Sequence, residues 1–183
     1  IKRLSHSMTL LANGKVLVVG GVTSPPYAAT STVELYDPAT GKWTTTGPLT
    51  QARWGHSAIL LQSGHVLVTG GTKEGGAVFN STELYDPAAG TWRTVGPLTT
   101  ARMGHFAKPL PDGKVLIGGG AQCCWSDILS VEKYDPVAEI WSTMNPLPAG
   151  RSGNSSFLLP TGKVLVIGRS GGAANRSADL YDP

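Results

Sequence analysis

Gly14-Lys15-Val16-Leu17-Val18-Val19-Gly20-Gly21 is the stretch on which the fold turns, because the chain writes it again three more times. The same register holds Gly64-His65-Val66-Leu67-Val68-Thr69-Gly70-Gly71, then Val115-Leu116-Ile117 running into Gly119-Gly120, then Val164-Leu165-Val166-Ile167-Gly168-Arg169. A short, mostly β-branched apolar run bounded by glycines reads as a strand covered on both faces. Just ahead of each run stands a turn: Ala12-Asn13-Gly14-Lys15, Gln62-Ser63-Gly64-His65, Pro111-Asp112-Gly113-Lys114 and Pro160-Thr161-Gly162-Lys163. Asn-Gly and Asp-Gly favour tight hairpins because both turn positions tolerate positive φ.

Moving outward, further landmarks keep the same spacing of about 49 residues. Tyr36-Asp37-Pro38 returns as Tyr85-Asp86-Pro87, Tyr134-Asp135-Pro136 and Tyr181-Asp182-Pro183, and Trp43 returns as Trp92 and Trp141. Upstream stand Arg3, Arg53, Arg102 and Arg151, followed three residues later by His6, His56, His105 and Asn154. Each unit offers four strands, in the second unit His56–Leu61, His65–Thr69, Ser81–Tyr85 and Thr91–Val95. The Asp-Pro pair opens the turn after the third strand. Successive strands joined by such turns form one antiparallel sheet. A sheet of four strands leaves two faces to bury, and radial stacking of sheets buries them against one another. Tyrosine and tryptophan at fixed positions supply the area between sheets.

The spacing therefore predicts an all-β propeller segment over 1–183, with blades at about 1–48, 49–97 and 98–146 and a partial blade at 147–183. The fourth unit ends before its tryptophan strand and replaces histidine by Asn154 and the second glycine by Arg169. Composition agrees, since only 15% of residues are charged while glycine reaches 24 and proline 13, which disfavours long solvated helices. No uninterrupted apolar window is long enough to cross a bilayer, so membrane insertion is not expected. The net charge of +3 is spread out, and the recurring arginines belong to the repeat. No basic stripe marks a nucleic-acid partner.

The order Arg-x-x-His, apolar strand, Gly-Gly, Tyr-Asp-Pro and Trp resembles the kelch repeat, and it does so over essentially all 183 residues. The wording Gly-Lys-Val-Leu-Val-x-Gly-Gly and Glu-Leu-Tyr-Asp-Pro-Ala-x-Gly resembles bacterial, often secreted, kelch proteins, which implies an extracellular or cell-surface location. Kelch propellers usually carry six or seven blades. The resemblance thus implies an incomplete ring, completed by missing blades of the same protein or by a second chain; a closed four-bladed ring is the alternative.

Function is expected on the second-to-third loops, 22–31, 72–80, 121–129 and 170–177, which are unlike one another and share one end of the propeller with the fourth-to-first connections. The candidate ligand-binding face comprises Tyr27, Trp54, Phe79, Met103 and Trp125, with Arg53, Arg102 and Arg151 on the channel side and Leu4 and Ser152 beside them. Exposed aromatics suit a protein, peptide or glycan ligand. The alternative for each is a ring tucked onto its own blade. No catalytic residue, metal ligand or cofactor is assigned.

Galactose oxidase, a copper radical oxidase, resembles this pattern at a distance. That resemblance implies copper held by tyrosines and histidines, one tyrosine being cross-linked to cysteine. Here four of the five tyrosines, and His6, His56 and His105, occupy repeat positions, leaving Tyr27 and His65. An oxidase would need most of its site outside this segment. Cys123-Cys124 beside Trp125 forms either a vicinal disulfide at a loop tip or two free thiols. Gly168-Arg169-Ser170-Gly171-Gly172 matches a nucleophile elbow but lacks the helix that motif requires.

Overall fold

A computed structural model describes residues 1–25, 27–122, 126–169 and 178–183, without the side chains of Asn154 and Arg169. Every regular element among them is a strand. The first unit contains β1 (Arg3–Leu4), β2 (Ser7–Leu10), β3 (Val16–Val19), β4 (Val22–Thr23), β5 (Val33–Asp37) and β6 (Lys42–Thr46). Strands β2-β3-β5-β6 form an antiparallel sheet in that order, and β1 pairs with β4 in a separate two-residue ribbon. The innermost strand therefore starts after the Arg-x-x-His segment, not at the head of the chain. The second blade is β7 (Ser57–Leu60), β8 (Val66–Thr69), β9 (Thr82–Asp86) and β10 (Thr91–Val95). The third is β11 (Phe106–Pro109), β12 (Val115–Gly118), β13 (Val131–Asp135) and β14 (Ile140–Met144). The fourth has three strands, β15 (Ser152–Leu158), β16 (Val164–Arg169) and β17 (Ala178–Tyr181).

The period of two along each strand divides its residues between two neighbouring blades. Val66, Val68 and Tyr85 pack back on Leu17, Val19 and Val33 of the first blade. Leu67 and Leu84 of the same sheet pack forward on Val115, Ile117 and Tyr134 of the third. A third cluster joins Phe106, Leu116 and Val131 to Val164, Val166 and Tyr181. Within complete blades the tyrosine and tryptophan rings meet at 4.9–5.0 Å and tilt by 41–43°, a geometry worth about 1 kcal/mol per pair beyond its area. The indole N–H of Trp92 and that of Trp141 reach back to the carbonyls of Gly47 and Gly96 at 2.8 and 3.0 Å, bonding one blade to the one before.

The glycine pair lies at the same junctions. A Cβ on Gly20, Gly70 or Gly119 would come within 2.5 Å of the carbonyl oxygen of Arg53, Arg102 or Arg151 on the next blade. Those carbonyls also accept the N–H of Gly21, Gly71 and Gly120. All six glycines hold positive φ, so both sterics and conformation exclude a side chain there. In the fourth blade Arg169 takes the second position, and the backbone changes accordingly. Ser152 pairs with Arg169, with a bulge before Ser155, whereas Trp54 and Met103 bridge one residue farther along, to Thr72 and Ala121.

The four sheets stack as an arc: β2 packs on β7, β7 on β11 and β11 on β15. Among the described residues no apolar cluster joins the fourth blade back to the first. Met8, Leu10 and Trp43 are exposed at one end, and Phe157, Ile167 and Leu180 at the other.

Candidate ligand-binding face

The arginine of each unit is a strut inside its own blade. Arg53 Nη1 donates to the carbonyls of Gly70 and Ser81, at 2.7 and 3.2 Å, and Nη2 donates to Ser81 Oγ and to the Glu83 carboxylate, at 2.8 and 2.7 Å. Arg102 repeats the pattern with Gly119, Ser130 and Glu132, and Arg3 with Gly20, Thr32 and Glu34. Arg151 meets a shorter acid, its Nε donating to Asp179 at 2.8 Å and Nη1 to the Gly168 carbonyl. The glutamates also hold backbone, since Glu83 accepts the N–H of Thr50 and Glu132 that of Thr99, which pins each incoming linker. Burial pulls the Arg53 and Arg102 guanidiniums below their ordinary range, against the opposing pull of Glu83 and Glu132. Arg53, Arg102 and Arg151 are completely buried. This corrects their expected place on the ligand face, because the blade's own carbonyls and carboxylate occupy the fork of donors.

His56 and His105 lie at the blade junctions. His56 Nε2 is hydrogen-bonded to Ser7 Oγ of the previous blade at 2.8 Å, and His105 Nε2 to Thr69 Oγ1 at 3.0 Å. Desolvation first, and then the neighbouring arginine, push both rings down to about 3, so they are neutral at pH 7. Among the described residues no three His, Cys, Asp or Glu side chains converge as metal ligands would.

The loop end has more common structure than unlike sequences predict. The residue after each arginine bridges to the start of the loop, which bridges to its far limb: Leu4 to Val22 to Ala29, Trp54 to Thr72 to Val78, and Met103 to Ala121 to Asp127. A belt of backbone bonds ties these ribbons together, from the N–H of Gly55 to the carbonyl of Ser5, Gly104 to Gly55 and Gly153 to Gly104. All four belt residues hold positive φ. Sequence reasoning missed the belt, although its signal was present in Gly55, Gly104 and Gly153 at one spacing.

On this frame the predicted binding residues separate. Trp54 and Met103 are half-buried in the ribbons. Phe79 is half-buried with the Arg53 guanidinium 5.4 Å from its ring centre, which is the tucked alternative. Tyr27 stands 65% exposed, with φ of 57°. Its loop is held from both sides, since Thr23 N–H donates to the Ala28 carbonyl and Ala29 N–H donates to Glu74 on the second blade's loop at 2.9 Å. Trp125, Cys123 and Cys124 lie outside the described residues. At the opposite end the short turns repeat one ion pair, Lys15–Asp37, Lys114–Asp135 and Lys163–Asp182. Sequence variation between the units is concentrated at the loop end.

The family model described as the KLHDC2/KLHL20/DRC7 Kelch-repeats domain matches residues 5–182. No curated protein matches the chain.

Proposed function

Since this chain belongs to the kelch-repeat family, whose propellers suggest protein-interaction scaffolds, we propose that it binds a protein, peptide or glycan partner through the loop face and performs no chemistry of its own. Tyr27 carries this reading. A bulky residue at positive φ costs about 1–2 kcal/mol, and most of this ring faces solvent. A strained, pinned and exposed aromatic is the arrangement of an anchor waiting for a partner. Trp54 and Met103 edge the same face nearer the channel. The partner is met outside the cell or at its surface, and the arc belongs to a larger ring made with further kelch blades.

Peptide and glycan arrays probed with the purified chain test this. Binding hits are expected to lose at least about tenfold in affinity in Tyr27→Ala. They should persist in Lys114→Ala, which alters the opposite end. Hits indifferent to Tyr27 but sensitive to Lys114 would overturn the reading.

A further inference from the structure

Glutamate in this chain is a partner for arginine. Glu34 meets Arg3, Glu83 meets Arg53, Glu132 meets Arg102 and Glu139 meets Arg93. Glu74 departs from that rule. It stands exposed on the second blade's loop, and among the described residues no cation lies within ion-pair distance of it. Counted from the bridging residues Val22, Thr72 and Ala121, the other loops have Ser24 and Cys123 at its position. The carboxylate therefore belongs to this loop and not to the repeat.

Its place is nevertheless fixed. Glu74 Oε2 accepts the N–H of Ala29, on the first blade's loop, at 2.9 Å. Both loops are ordered at that contact. Ala29 is bridged to Val22, while Lys73 N–H and Thr72 Oγ1 both donate to the Ala77 carbonyl, at 3.3 and 2.9 Å. Bonds from the Ala29 N–H and from its own N–H hold the Glu74 carboxyl below the usual carboxylate range, so it is ionised at neutral pH. Its Oε1 accepts no bond from another residue among those described. Two residues before Ala29, Tyr27 presents a ring that is 65% exposed. Three residues of backbone thus link a fixed, unanswered anion to an exposed aromatic on the same end of the propeller.

We infer that Tyr27 and Glu74 together seat an arginine side chain of a partner polypeptide. This rests on the loop-face reading above and names the chemistry that the face recognises. A guanidinium stacks on an aromatic ring and at the same time directs its fork of donors at a carboxylate. The partner then supplies to Glu74 what Arg53 and Arg102 supply to Glu83 and Glu132 inside the blades. A lysine ammonium brings the charge without the planar fork. A neutral sugar brings no charge to answer Glu74, and an acidic one is repelled by it.

Glu74→Gln separates charge from scaffold, because the amide oxygen can still accept the Ala29 N–H. Isothermal titration calorimetry is applied to array peptides whose binding falls in Tyr27→Ala, and to the same peptides with arginine replaced by citrulline. Citrulline keeps the shape and loses the charge. Glu74→Gln is expected to weaken the arginine forms at least about tenfold and the citrulline forms less than about twofold. Added salt should weaken the native complex more than that of Glu74→Gln. Tyr27-dependent peptides that bind equally well as citrulline forms, or that ignore Glu74→Gln, overturn the arginine seat and leave the loop-face reading standing. Tyr27-dependent hits confined to glycans do the same. Hits that ignore Tyr27 and respond to Lys114→Ala overturn both, as do arrays without a hit.

Discussion

The second and fourth blades share a strand order but differ at the hub. In the second, Arg53 meets Glu83, His56 fills the junction behind it, and Gly71 leaves room for the Trp54 carbonyl and the His56 Cβ of its own blade. In the fourth, the acid is Asp179, the histidine is Asn154 and the glycine is Arg169. The strands survive all three changes, while the ribbon register moves by one residue. Strand order thus depends on the apolar period, and the exact loop register depends on the hub.

The largest effect should come from breaking the better-buried pair. Glu83→Ala strands a buried guanidinium and should cost about 3–5 kcal/mol in urea unfolding. Asp179→Ala, at a partly exposed acid, should cost about 1.5 kcal/mol. Equal losses would erase the distinction between the blades. Writing the fourth blade's hub into the third by Gly120→Arg should cost about 3 kcal/mol, because φ is +88° and a Cβ would meet the Met103 carbonyl. Arg169→Gly should change stability by less than about 1 kcal/mol by the same measurement.

Histidine against asparagine gives a pH comparison. His56 and His105 titrate near 3 when folded and near 6.5 when unfolded, so the unfolded chain takes up the proton first. Their contribution is complete above about pH 6.5 and is lost as pH falls toward 3, on the order of 3 kcal/mol per histidine by pH 4. The double variant His56→Asn, His105→Asn should flatten urea midpoints across that window. An unchanged slope would assign acid sensitivity to other groups.

Much of this fold was legible in the sequence, because an interface repeated at one spacing leaves the same residues at the same places. The all-β class and the antiparallel strand order follow from that period. The burial of Arg53 and Arg102 did not follow from their own spacing, since a position in a repeat does not say what answers it. The answer was written elsewhere: Glu34, Glu83, Glu132 and Asp179 each stand two residues before the repeated tyrosine. Pairing two series of equal period would have placed the charges inside. Tyr27 differs in kind, because its loop has no counterpart and its exposure depends on a contact with Glu74 from another blade.

Smaller effects sharpen the comparison further. The Tyr85 hydroxyl bonds Thr46 Oγ1 at 2.7 Å and that of Tyr181 bonds the Asn145 carbonyl at 2.8 Å. Val95 stands where Thr46 would, and the buried Tyr134 hydroxyl has no partner among the described residues. Tyr85→Phe should cost about 1 kcal/mol, while Tyr134→Phe should be neutral or slightly stabilising in the same assay. Tyr27→Gly should raise stability by up to about 1 kcal/mol. If it is destabilising instead, the ring supports its own loop and is not an anchor.

The arginine and its carboxylate belong to the same blade, and this has an evolutionary consequence. Arg53 and Glu83 are 30 residues apart, within one period of about 49. A duplicated gene segment of that length would carry a charge already neutralised, with its linker clamp included. Such a cassette could enter the array without stranding an ion in the interior. Blade number can therefore drift between relatives by whole units, while each loop diverges on a frame that stays electrically closed.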